Sequence, residues 1–103
     1  MIAFSGLDHD ELSRQLTRML DASVRSFDTI AQELRVGVIK KHPPLYQELK
    51  GEFADVIAKA QLMLGMECKL RGEIEQARAH WKKGLEYARD DMQGYLRSAL
   101  DDQ

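Results

Sequence analysis

Leu64-Gly65, then Gly72, Ala77, Trp81 and Gly84-Leu85, punctuate the second half of this chain with small residues around one large one. Gly72 stands where an apolar helical run ends, and Glu73 is placed to open another, which predicts a turn. Beyond it Ile74, Ala77, Trp81, Leu85 and Ala88 recur at helical spacing and predict a third helix with one apolar stripe. Gly65, Ala77 and Gly84 lack bulk where the two backbones would cross. The stretch therefore predicts two short antiparallel helices pressed together, with Trp81 filling the seam.

Working outward from this pair, Asp8 followed three residues later by Glu11 reads as a helix start, because the Asp8 carboxylate can accept from free backbone N–H groups. Leu16, Leu20, Ser23, Phe27, Ile30 and Leu34 alternate steps of four and three, predicting one helix to about Arg35 with Gly37 as its stop. Lys40-Lys41-His42-Pro43-Pro44 interrupts the pattern, since proline lacks an N–H and constrains the residue before it, while Pro44 suits the first turn of a new helix. From Leu45 the second helix carries Leu49, Phe53, Val56, Ala60 and Met63, a seam suited to antiparallel packing on the first. Between Gln61 and Leu70, the residues Leu62, Met63, Leu64, Met66, Cys68 and Leu70 go nearly all the way round, predicting a helix contacted on several sides. After Asp90-Asp91, the residues Met92, Tyr95, Leu96, Ala99 and Leu100 predict a last amphipathic helix laid over the exposed end of the pair. Asp101-Asp102-Gln103 are expected to fray. The expected architecture is all-α: a long antiparallel hairpin, the helix pair, and a C-terminal capping helix, forming a single domain over residues 1–103.

Composition bounds the function. With 103 residues, 44% apolar and 31% charged, the chain has room for one small core and no second domain. Fifteen Lys and Arg against 17 Asp and Glu leave a net charge of -2, which gives no electrostatic case for nucleic acid or an anionic membrane. Cys68 is the one cysteine, so no internal disulfide forms, and a reducing cytoplasm is expected. Met1 to Leu7 lack the basic and long apolar regions of a signal peptide, and no segment approaches the length of a membrane span.

The run from about Ala58 to Asp91 resembles the tetratricopeptide repeat family, a helix-turn-helix unit used for protein binding. Leu64-Gly65 stands where the family's second helix crosses its first, Cys68 follows one turn later, and Gly72 matches the turn. Ala77 matches the small residue that lets the backbones approach, and Trp81 the large aromatic four residues on. Gly84 stands where alanine is more usual, Gln61 where an aromatic or large apolar residue is usual, and Arg89 where a proline often closes the unit. That last departure predicts that the third helix runs on. One period upstream Pro43 falls on the small-residue position, so the first two helices are not a second regular copy. A single pair cannot bury its own apolar face, so either the long hairpin or a second protein supplies the neighbour.

The resemblance implies a non-catalytic binding module whose first repeat helix lines a concave surface with Lys59, Leu62, Met63, Met66, Lys69 and Leu70. Some family members grip a peptide carboxylate with Lys and Asn in this row. Here Leu62 and Met66 occupy key places, which disfavours such a clamp and favours an amphipathic helix of a partner protein, with Lys59 and Lys69 facing its acidic residues. The competing expectation is that the first helix, through Met19, Val24, Phe27 and Leu34, fills this groove from within.

Elsewhere the chemistry is sparse. His9, His42 and His80 show no helical metal spacing, and His80 reads as a surface residue beside Trp81. Arg78 with Lys82-Lys83, and separately Lys40-Lys41-His42, are candidate phosphate or acidic-group sites. No phosphate loop, nucleophile elbow or Cys-His pair points to catalysis, and no cofactor is expected. Three functions stay open: an adaptor or chaperone-like module binding a protein or peptide, a structural homodimer with the groove covered, and, behind these, a phospholigand or nucleic-acid binder.

Overall fold

The computed structural model describes residues 8–37 and 40–102. Expectations about Met1 to Leu7 and about Gln103 lie outside the described residues. Among the described residues four helices account for the fold: α1 (His9–Val36), α2 (Pro43–Leu70), α3 (Ile74–Leu85) and α4 (Asp91–Asp101). The chain is all-α, a helical hairpin followed by a helix pair and a C-terminal helix.

Local chemistry sets most of the boundaries. Asp8 Oδ1 accepts from the backbone N–H groups of Asp10 and Glu11 at 2.9 and 3.2 Å, satisfying two donors that the first turn of α1 leaves free. Gly37, at φ 80°, closes α1 in the left-handed conformation. α2 opens on Pro43, one residue before the expected Pro44, because both prolines fit a first turn whose N–H groups have no helical acceptor. It closes in a Schellman arrangement: the Gly72 N–H donates to Lys69 O and the Glu73 N–H to Cys68 O, each at 2.9 Å, with Gly72 at φ 82°.

α1 and α2 run antiparallel, since His9 meets Glu67 at one end and Phe27 meets Lys50 towards the other. The expected stripe of α1 faces this seam: Leu16, Leu20, Ser23 and Ile30 are buried, and Phe27 and Leu34 are half-buried. The stripe expected for α2 is corrected. Of the expected residues Ala60 is buried and Phe53 and Val56 are half-buried, whereas Leu49 and Met63 are exposed; the buried arc runs instead through Ala54, Ile57, Ala58, Ala60, Gln61, Leu64, Gly65, Glu67 and Cys68. The arc rotates because α2 serves two neighbours at once, and its buried centre lies between the lines facing α1 and α3.

α3 folds back antiparallel on α2, Gly65 meeting Trp81, Gln61 meeting Gly84, and Asp55 meeting Arg89. A Cβ on Gly65 would fall inside the Trp81 indole, 2.6 Å from Cδ1. That missing side chain lets the ring lie against the α2 backbone, where its Nε1–H donates to the Leu62 carbonyl at 3.2 Å. Ala58, Cys68, Ala77, Trp81, Ala88 and Leu96 close this core. Burial of these apolar side chains is the main term holding so small a domain together.

Two expectations fail near the C-terminus. α3 does not run on to Arg89. It stops at Leu85, and the N–H groups of Tyr87 and Ala88 both donate to Gly84 O, at 3.1 and 2.8 Å, tightening the chain into a turn. Arg89 instead makes a two-pronged bond to Asp55 at 2.9 Å, lying over Gly51, where a Cβ would come within 2.6 Å of its Nη1. On α4, Leu96 is buried while Tyr95 is left exposed. α4 includes Asp101, and the Asp102 N–H donates to Ser98 O at 3.1 Å.

Candidate functional site

The first candidate follows from how α2 is shared. α1 takes one flank through Ile57, Ala60 and Leu64, and α3 takes another through Ala58, Gly65 and Cys68. The remaining face carries Lys59, Met63, Met66 and Leu70, in steps of four, three and four, which places them in one row along the helix. Met63, Met66 and Leu70 keep 45%, 46% and 73% of their surface exposed. Lys59 and Lys69 are exposed as well. Leu62 departs from the others: it is half-buried against the Trp81 and Leu96 core.

α1 does not fill this face. Leu16, Leu20, Val24 and Phe27 pack towards Ile57, Ala60 and Leu64, and Met19 points to solvent. The start of α1 is fixed beside the row without covering it. His9 Nδ1 lies 2.7 Å from Oε1 of the buried Glu67, and Arg71 Nη2 donates to Asp10 Oδ1 at 3.0 Å and Ser13 Oγ at 3.1 Å. Further along α2, the Asp55 carboxyl is held below its ordinary range, first by its bond to Arg89, with Lys59 adding to the effect.

A second concavity had no forewarning in the sequence. No Cα of α1 comes within 8 Å of one in α3, although both helices pack on α2. The gap is a cleft of about 550 Å³ lined by Leu20, Asp21, Val24, Arg25, Gln61, Lys83, Glu86 and Tyr87. Tyr87, part of its lining, meets Phe27 of α1 edge to face, 5.2 Å between ring centres. Both signs of charge lie on its rim, so it favours neither an anion nor a cation.

His80 is not the surface residue expected. It is half-buried, its Nδ1 lies 2.7 Å from Gln61 Oε1, and burial holds it below the ordinary histidine range, with Lys83 pushing the same way. The basic cluster of Arg78 with Lys82 and Lys83 is dispersed. Arg78 Nη1 donates to the Leu100 carbonyl at 2.9 Å, a cation on the last turn of α4, while Lys83 turns to the cleft. Cys68 is buried, and desolvation pushes its thiol up, first among the causes. Among the described residues no group of three or more His, Cys, Asp or Glu is placed to hold a metal.

No protein family, curated protein or solved structure matches the chain.

Proposed function

We propose that the chain is a non-catalytic protein-docking module that receives an amphipathic helix of a partner along the open face of α2. The supporting observation is the exposure of Met63, Met66 and Leu70 in one row on turns whose other sides are buried. A row of this spacing suits a partner helix with apolar anchors three and four residues apart. Methionine side chains adapt to irregular surfaces, and Lys59 and Lys69 favour acidic residues flanking those anchors. We assign residues 58–91 to a tetratricopeptide-like unit whose neighbouring repeat is replaced by α1, and place the module in the cytoplasm, where a lone free thiol is at home.

The test is selection of helical peptides on the wild-type chain and on Met66→Asp, with the methionine methyl signals of the captured complex followed by NMR. Selected peptides should carry apolar residues at three and four spacing with acidic flanks, shift the Met63 and Met66 methyls, and lose binding to Met66→Asp. Equal binding by both proteins would remove the face from the function. A wild-type mass of two chains that reverts to one in Met66→Asp would make self-association the use of the face instead.

A further inference from the structure

We propose that the end of the molecule where α1 meets α2 attaches to an anionic lipid surface. From Arg35 to Gln47 the chain carries Arg35, Lys40 and Lys41 and neither Asp nor Glu, with the exposed Glu33 and Glu48 standing just outside the segment. None of these cations takes part in an ion pair among the described residues. The α2 terminus adds positive character, for its first turn holds no acidic residue and His42 makes no side-chain capping bond. Apolar side chains stand beside these charges. Val36 is 56% and Leu45 60% exposed, and Tyr46 and Leu49 are exposed too. Leu45 and Leu49 lie one turn apart on one face of α2. The net charge of -2 describes the whole chain and hides this segregation, since the rest of the molecule carries the negative excess.

Lipid fits the tip better than other polyanions or proteins. Aliphatic side chains with a tyrosine among lysines match the boundary between headgroups and acyl chains. Single-stranded nucleic acid calls for aromatic platforms, and duplex calls for polar groups reaching base edges or phosphates; three of the four exposed apolar residues here are aliphatic. The exposed apolar side chains at this tip are few, Val36, Leu45, Tyr46 and Leu49, and shallow insertion of a few side chains among headgroups needs no extended complementary surface. No helix among the described residues is long and apolar enough to cross a membrane, so the attachment is peripheral. The tip lies at the opposite end of α2 from Met66 and Leu70, and the inference stands without the docking role of that face.

Co-sedimentation of the whole chain with phosphatidylcholine vesicles, with and without phosphatidylserine, tests it. Binding is expected only with phosphatidylserine and is released at high salt. Lys40→Gln with Lys41→Gln should weaken it about twenty-fivefold, at roughly fivefold for each lysine. Leu45→Gln with Leu49→Gln should weaken it at unchanged charge, and Met66→Asp should leave it unchanged. Circular dichroism should report wild-type helix in every variant, because all these side chains are exposed. Absence of binding to the anionic vesicles at low salt would overturn the proposal. So would undiminished binding by the Leu45→Gln and Leu49→Gln protein together with equal affinity for duplex DNA, which would mark general polyanion attraction.

Discussion

Gly65 and Met66 are neighbours in sequence and opposites in surroundings. Gly65 is buried under an indole that tolerates no Cβ, whereas Met66 stands in water on the next step of the same helix. Along the second half of α2 this contrast repeats: Leu64, Gly65 and Cys68 are enclosed, and Met63, Met66 and Leu70 are not. Apolar character alone therefore does not distinguish core from open surface here. What distinguishes them is the availability of a neighbour. α1 and α3 each need a flank of α2, and small residues at Ala58, Ala60 and Gly65 let both approach closely enough to consume those flanks.

Breaking the sealed side should produce the largest effects. Trp81→Ala removes the largest fully buried side chain and should cost about 3–5 kcal/mol, much of the stability available to a domain of this size; a urea titration measures it. Gly65→Ala drives a Cβ into the same ring and should cost about 1–3 kcal/mol in the same assay. Gly84→Ala is the sharpening control. Its Cβ would sit 3.1 Å from Gln61 Cβ and from Leu96 Cδ1, a contact that small shifts relieve. The gain in helix propensity of about 1 kcal/mol offsets the remaining strain, so the net change should be close to zero.

Smaller effects report on the polar links at the margin of the seam. The folded Asp55 carboxyl titrates below its ordinary value, chiefly through its bond to Arg89. The folded state therefore binds that proton more weakly than the unfolded chain, and the stabilisation is present above the unfolded value and lost as pH falls through the folded one. Arg89→Gln should lower the unfolding midpoint slightly at neutral pH and lose that difference in acid. His80 is also depressed, by burial first and then by Lys83. Its neutral form favours the fold above the ordinary histidine value, and this contribution fades as pH falls from there towards the folded value. The midpoint of the wild type should therefore drop between neutral and mildly acid pH more than that of His80→Gln.

Readability in sequence followed how local each cause is. Asp8, Gly37 and Gly72 act within one turn of backbone, through a side-chain cap or a positive φ, and all three were legible. The α1 stripe was legible because one neighbour faces it. The α2 seam came out rotated, since two neighbours divide that helix and periodicity averages over both. The end of α3 was misplaced because Arg89 is fixed by Asp55, 34 positions away in the chain. At the candidate site, the resemblance put Lys59, Leu62, Met63, Met66, Lys69 and Leu70 on one face, and of these Leu62 is half-buried while the other five are exposed. Their exposure depends on which side α1 leans, which spacing does not encode. The cleft between α1 and α3 was invisible for the same reason, arising from two helices that never come close to each other.

A last change bears on the open side. Met66→Asp should cost no more than about 1 kcal/mol, through lower helix propensity and an acid towards the C-terminus of α2, while ending any docking at that face.

Peroxide oxidation of the isolated chain, mapped residue by residue by mass spectrometry beside a solution mass, tests most directly whether this face is open. In a monomer, Met63 and Met66 should oxidise at rates like that of exposed Met19 and well ahead of half-buried Met92. Protection of Met63 and Met66 to the level of Met92 in a monomer would contradict the account, because the face would then be covered by the chain itself.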